Sequence, residues 1–270
     1  MIIIYILLIA AALYLFLIMP RMTGRPDASM LMGRDYAHRG LHDNKSDAPE
    51  NSMAAFKKAV DAGYGIELDV QLTRDRIPVV FHDESLKRVC GVDGNVRDYT
   101  YEELQSFRLL NSDERIPLFE DMLALVGGRV PLIVEIKIHE KASDVCEKVD
   151  ALLRNYKGPY CMESFHPLAV RWYRKNRPEV IRGQLSCFFG TAEKREPFSR
   201  MLVHYLLTNV ITRPDFIAYS HANKGNLSRL LCRKLFRALS VAWTVKSQEQ
   251  LDACRNDFDL FIFEQFIPKA

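Results

Sequence analysis

The sequence predicts an α/β fold of the TIM-type (β/α)8 barrel class, with a small inserted cap and an N-terminal transmembrane helix ahead of the barrel. Three observations point there. Short apolar runs alternate with amphipathic helical stretches from about residue 35 to the C-terminus, the pattern of parallel strands joined by helical crossovers. The runs number one too many for eight strands, and the second and third lie too close together for a crossover. Residues Ile2–Met19 contain no charged side chain.

The N-terminal run is followed by Pro20 and Arg21. A helix over it would be roughly 27 Å long, close to a hydrocarbon core. No Lys or Arg precedes it and bulky residues fill its second half, unlike a cleaved signal peptide. Residues 1–20 are therefore expected to form a membrane anchor, and 21–34, with Gly24, Pro26 and Gly33, a juxtamembrane linker. Arg21, Arg25 and Arg34 all follow the span, so the domain after it is expected on the cytoplasmic side of a single-pass cell-membrane protein.

The domain over 35–270 should carry strands near Tyr36–His38, Gly65–Gln71, Pro78–Phe81, Pro131–Lys137, Tyr160–Phe165, Ile181–Leu185, Asp215–Tyr219, Ser240–Val245 and Leu260–Phe263. Helical patterns lie over Ser52–Ala62, Ser143–Asn155, Pro167–Asn176 and Ser247–Asn256. Only Thr73-Arg74-Asp75-Arg76 separates the second and third strands, so these form an antiparallel hairpin. A two-residue turn there sets His82 opposite Glu67 or Asp69. The irregular stretch from Asp83 to Pro117, with one short helix near Tyr101–Phe107, reads as a cap inserted at about 83–117.

Composition narrows the function classes. A net charge of +3 is too weak for nucleic-acid binding. Six scattered cysteines without C-x-x-C spacing exclude a zinc knuckle or redox motif and read as buried, reduced thiols.

Barrel active sites lie at the C-terminal strand ends, where the sequence sets His38-Arg39-Gly40, Glu67-Leu68-Asp69, His82-Asp83 and Glu135-Ile136-Lys137. Alternation places Glu67 with Asp69, and Glu135 with Lys137, on the inner face, and turns Leu68 and Ile136 toward the helices. Three converging carboxylates call for a hard divalent cation, Ca²⁺ or Mg²⁺. His38 and His82 suit acid–base roles. Arg39 and Lys137 suit an anionic, phosphate-like substrate. Glu135 and Lys137 also fit a buried structural ion pair. Trp243, at a strand end, fits substrate packing and barrel core equally.

The set His38-Arg39-Gly40, Pro49-Glu50-Asn51-Ser52, Glu67-Leu68-Asp69-Val70, Thr73-Arg74-Asp75 and His82-Asp83 resembles the signature of glycerophosphodiester phosphodiesterases. The resemblance continues through Asp93-Gly94-Asn95-Val96, Ile116-Pro117, Glu135-Ile136-Lys137, Ser164-Phe165 and Ala242-Trp243-Thr244-Val245, over about residues 35 to 265. It implies a phospholipase-C-like barrel and hydrolysis of a glycerophosphodiester to glycerol 3-phosphate and an alcohol. It further implies acid–base work by His38 and His82, metal binding by Glu67, Asp69 and Glu135, phosphate contact by Arg39 and Lys137, and support from Glu50. Three departures stand out: Ser52 for threonine at a helix N-cap, Arg76 for a turn glycine, and Glu264 for the family's closing aspartate.

Alternatives are lysophospholipase D-like cleavage of membrane lysophospholipids and an inactive membrane-anchored binding protein, although no catalytic residue is missing. Two further segments bear on the membrane. Residues 197–211 are strongly apolar, and 224–237 carry Arg229, Arg233 and Arg237 at four-residue spacing. That spacing fits a solvated outer helix or a surface drawn to anionic lipid.

Overall fold

A computed structural model describes residues 1–188 and 198–269. Nine strands form one sheet: β1 Tyr36–His38, β2 Gly65–Leu72, β3 Pro78–Val80, β4 Leu132–Ile136, β5 Tyr160–Ser164, β6 Arg182–Ser186, β7 Phe216–Ser220, β8 Leu239–Val245 and β9 Leu260–Phe263. All neighbours are parallel except β3, and β1 pairs with both β2 and β9, which closes an eight-stranded barrel. The surplus strand is the expected hairpin partner of β2. Its register is Val70↔Val80, Gln71↔Val79 and Leu72↔Pro78. Continued, that register sets His82 opposite Leu68, between Glu67 and Asp69 rather than opposite either. The connection is longer than a two-residue turn: Thr73 N–H donates to Ile77 O, and Arg76 takes the left-handed conformation (φ 65°) that a glycine would adopt without strain.

The helices are α1 Ile2–Ile18, α2 Met53–Asp61, α3 Lys87–Cys90, α4 Tyr101–Leu104, α5 Phe119–Val126, α6 Ala142–Leu153, α7 Pro167–Asn176, α8 Phe198–His204, α9 Asn209–Thr212, α10 Leu227–Lys234 and α11 Gln248–Cys254. Ser52 caps α2 as expected, its Oγ accepting from Ala55 N–H at 3.1 Å. Alternation along the strands divides the apolar residues. Leu68, Val70, Val134 and Ile136 pack under the helices, while Ile133, Cys161, Leu185 and Val241 fill the barrel interior. Residues 83–117 form two short helices and a 3₁₀ turn over their own small core, which includes Phe81, Leu86, Val96 and Ile116. All six cysteines are free thiols.

The N-terminal expectation finds no support in the structure. Helix α1 has 17 residues, and no helix among the described residues is long and apolar enough to cross a membrane. Its last turn is joined to the barrel. Tyr14 Oη bonds Ser228 Oγ at 2.7 Å, Asn209 Nδ2 donates to Ile18 O at 2.7 Å, and Arg213 Nη1 donates to Met19 O at 2.6 Å. The carbonyls at the C-terminal end of α1, which have no intrahelical partner, are thereby taken up by α9 and the residue after it. The following stretch is tied down as well. Arg25 donates to the carbonyls of Phe236 and Arg237, and Leu31 is buried with its carbonyl accepting from Tyr36 Oη.

The basic face expected on 224–237 does not form. Arg229 is buried, donates to the Lys224 and Asp257 carbonyls and lies over the Phe258 ring at 4.4 Å. Arg233 pairs with Asp259 at 3.1 Å. Of the apolar stretch 197–211, Pro197 lies outside the described residues. Val203 and Leu206 are buried, while Phe198, Met201, Tyr205 and Ile211 are exposed.

Candidate active site

Strand β2 is buried along its whole length and carries Glu67 and Asp69 into the barrel. The β2–β4 register pairs Asp69 with Glu135, and the β4–β5 register pairs Glu135 with Glu163, so carboxylates from three strands stand at one level. Oxygens of Glu67, Asp69 and Glu135 lie within 4.8 Å of one another. Burial, then the charges of Asp69, Glu135 and Glu163, push the Glu67 carboxyl well above the usual carboxylate range. Burial does the same to Glu163, helped by Glu135. Lys137 Nζ sits 3.0 Å from Asp69 Oδ1 and 2.7 Å from Glu135 Oε2. Lysine thus offsets two of these acids, while Glu67 and Glu163 have no Lys or Arg side chain within ion-pair distance among the described residues. The donor set is hard oxygen with excess negative charge, and it fits a divalent ion such as Ca²⁺ or Mg²⁺.

The turn after β1 is left-handed at Arg39 (φ 55°) and Gly40 (φ 82°). A Cβ on Gly40 would stand 2.9 Å from the Ala55 backbone, so glycine is required where the chain crosses α2. The turn directs the Arg39 N–H to Glu67 Oε2 at 3.2 Å and Arg39 Nη1 to Glu50 Oε1 at 2.6 Å. Asn51, also left-handed (φ 55°), donates from Nδ2 to Asp69 Oδ2 at 2.9 Å.

Each expected histidine has Nδ1 on a carboxylate. His38 Nδ1 is 2.5 Å from Glu264 Oε2, leaving Nε2 3.8 Å from Glu67 Oε2. Burial lowers His38 to about 4, against the hydrogen bond and charge of Glu264. His82 Nδ1 is 2.6 Å from Asp83 Oδ1. Burial alone would raise Asp83, but the bonds from His82 and Arg88 hold it well below the usual range. Arg88 also grips Glu50 with two bonds of 2.6 and 2.7 Å, which links the cap to the residue beneath Arg39. The Glu264 carboxylate, on the rim after β9, takes a further ion pair from Lys246 at 2.7 Å.

A cavity of about 400 Å³ is lined by His38, Arg39, Glu67, His82, Glu135 and Trp243, among others. Trp243 packs edge-to-face on Phe165 at 5.4 Å. Glu50 lines the wall; Asp69 and Lys137 do not. Lys137, expected to touch phosphate, pairs with Asp69 and Glu135. Sequence reasoning missed Glu163, Asn51 as the bond donor to Asp69, Arg88 as the link between Glu50 and Asp83, and His42, 3.7 Å from Glu264. Glu163 had a signal: it shares a strand face with Cys161, which lies inside the barrel. Arg88 had none, because the cap's path sets its position.

The model of the glycerophosphoryl diester phosphodiesterase family matches residues 38–255. A glycerophosphodiester phosphodiesterase of Bacillus altitudinis is 36% identical over 161 residues, which cover 55% of this chain and 64% of that protein. The match thus spans just under two thirds of that relative's length. The Bacillus subtilis protein YhdW is 31% identical over 224 residues, covering 79% of this chain and 86% of its own. Among solved structures, an Oleispira antarctica phosphodiesterase in complex with the product sn-glycerol-3-phosphate superposes with a TM-score of 0.70 at 21% identity, covering 87% of this chain and 94% of that one; at this identity the likeness concerns the fold. With the family model over residues 38–255, most of the barrel, the chain belongs to the glycerophosphoryl diester phosphodiesterase family.

Proposed function

We propose that the protein is a divalent-cation-dependent phosphodiesterase that hydrolyses glycerophosphodiesters to glycerol 3-phosphate and an alcohol. The observation that carries this reading is two carboxylate-oriented histidines lining one cavity with buried acids whose negative charge is incompletely balanced. Glu67, Asp69 and Glu135 would hold the divalent ion, which when bound would supply Lewis-acid charge to the phosphate. Arg39, fixed by Glu50, adds a cation on the cavity wall.

The Nδ1–carboxylate bonds fix which ring nitrogen is free in each histidine. His38 Nε2 faces the carboxylate set, and burial keeps the ring neutral near pH 7, so it takes the proton of the attacking oxygen. Glu264 then stabilises the imidazolium. His82 is the more exposed of the two, with 32% of its side chain accessible against 15% for His38. It lies beside the cap, where an alcohol of variable size can leave, and delivers the proton to that alkoxide. Trp243 forms an apolar wall for the glycerol carbons.

The test is phosphodiesterase activity of the full chain after EDTA treatment and add-back of Ca²⁺ or Mg²⁺. The panel is glycerophosphocholine, glycerophosphoethanolamine, glycerophosphoglycerol and lysophospholipids, with His38→Ala as control. Metal-restored release of glycerol 3-phosphate, lost in the control, is the expected result. Cleavage of lysophospholipids alone would shift the substrate class, and inactivity across the panel would overturn the proposal.

A further inference from the structure

The opposite end of the barrel carries a second polar concavity, of about 370 Å³, lined by Arg21, Arg174, Arg182 and Arg213 with Met19 and Pro178. The arginines come from four places: the chain after α1, the end of α7, the first residue of β6, and the loop before β7. Each rests one edge on backbone. Arg21 Nη1 donates to Pro178 O at 2.8 Å, Arg174 Nη1 to Ile211 O at 2.9 Å, Arg182 Nη2 to Arg213 O at 2.8 Å, and Arg213 Nη1 to Met19 O at 2.6 Å. A guanidinium has five donors, so each retains others.

Counter-charge is scarce. Among the described residues Asp215 is the carboxylate in contact, at 3.5 Å from Arg21 Nη1 and 3.6 Å from Arg182 Nη1, both beyond a good charge-assisted bond. Arg182 is 2% exposed, and its Nη1 has no hydrogen-bond partner among the described residues. Burial, and then the charges of Arg21 and Arg174, lower the Arg182 pKa despite Asp215. Arg213 is lowered by burial and by Arg174. Arg182 is buried, Arg21 and Arg213 are half-buried and Arg174 is exposed at the rim, and their one acid, Asp215, is engaged by the Arg182 backbone N–H at 3.1 Å, so the buried guanidinium gains from an anion that completes the set.

We propose that this concavity is a second anion site, one that binds a phosphate group at the foot of α1, away from the catalytic cavity. Planar guanidinium forks held by backbone suit a tetrahedral oxyanion with several acceptors. The phosphate belongs to a lipid head group or to a soluble phosphate. The first source is favoured by α1, which ends beside the concavity at Met19 and exposes Ile2–Ile9 along its N-terminal half.

The test uses the full chain and the double variant Arg21→Gln/Arg174→Gln, with Lys148→Gln/Lys157→Gln as a control of equal charge loss on exposed helix and loop positions. Vesicle co-sedimentation compares phosphatidylcholine alone with phosphatidylcholine containing phosphatidic acid. Calorimetric titration with inorganic phosphate in a His38→Ala background reads the soluble source. For the lipid source, retention on phosphatidic-acid vesicles is expected to fall roughly 10- to 30-fold in the double variant and to change little in the control. For a soluble source, phosphate binding disappears in the double variant while vesicle retention is unchanged. Hydrolytic activity stays unchanged in both variants, which confirms that they fold. The proposal is overturned if the double variant matches the control in both assays.

Discussion

At the C-terminal mouth of the barrel, Glu67, Asp69, Glu135 and Glu163 face the cations of Lys137 and Arg39; at the opposite end, Arg21, Arg174, Arg182 and Arg213 face Asp215. The two ends thus hold uncompensated charge of opposite sign. Their construction differs too. The acids project from strand interiors, where neighbouring strands leave few alternative rotamers. The arginines arrive from a helix end, two connecting segments and the first residue of a strand. A charge excess built on strands marks where chemistry is done to a tightly held group. One assembled from connecting segments marks where a ligand is merely held. In both places the imbalance is the ground of the proposal: a cation at the mouth, an oxyanion at the foot.

The comparison is broken most severely at Glu67. In Glu67→Gln, kcat/KM should fall by about 10³ or more, because a ligand of the proposed ion is lost where charge develops in the transition state. In EDTA the same variant should melt about 3 °C higher than the wild type, the equivalent of about 1 kcal/mol for a chain of this size, because a like charge has left the cluster. Paired kinetics and calorimetry check both signs. A variant that is inactive and also less stable without metal would mean that the mouth carries no excess negative charge.

The two histidines can be separated next. His82→Ala should lower kcat on glycerophosphocholine by about 10³. On a nitrophenyl phosphodiester, whose leaving group needs no proton, the same variant should lose less than about tenfold. His38→Ala should be equally impaired on both. Equal losses in His82→Ala would remove its role as the acid. A smaller effect belongs to Glu264→Gln, which keeps the shape of the contact to His38 Nδ1 and removes the charge. A loss of about 10- to 100-fold in kcat with little change in KM is expected, as for other groups that orient a working imidazole.

Much of the mouth was legible in the sequence because it is written in strand alternation. Leu68 and Ile136 pack under the helices as the period of two requires, and Glu67, Asp69 and Glu135 follow onto the inner face. The hairpin was forced by the four residues between β2 and β3, but its exact pairing was not, since the left-handed Arg76 sets a longer turn. Arg88 reaches Glu50 and Asp83 only through the path of the cap, which no local pattern encodes. The foot was illegible for a related reason. Arg21 read as a flanking charge beyond an apolar run, and nothing local shows that Arg174, Arg182 and Arg213 meet it. Arg229 and Arg233 were misread because helical spacing shows a shared face but not the Phe258 ring or the Asp259 carboxylate that this face meets.

The finest contrast lies between two buried carboxylates, one at each end, shifted in opposite directions. Burial alone would raise Glu50, but hydrogen bonds from Arg88, the charge of Arg39 and a bond from Asn44 bring it down to about 2. Its folded pKa is below its unfolded value of 4.5. Its contribution is therefore fully present above that value and lost as pH falls toward 2, on the order of 2 kcal/mol after allowing for the half-exposed Arg88. Burial raises Asp215 despite Arg182, so folding favours its protonated form and stability is gained as pH falls through its folded pKa. Urea unfolding between pH 6 and pH 2 should therefore show a flatter acid limb in Glu50→Gln and a slightly steeper one in Asp215→Asn, relative to the wild type. Acid limbs changing in the same direction would show that the arginines at the foot hold Asp215 ionised as Arg88 and Arg39 hold Glu50.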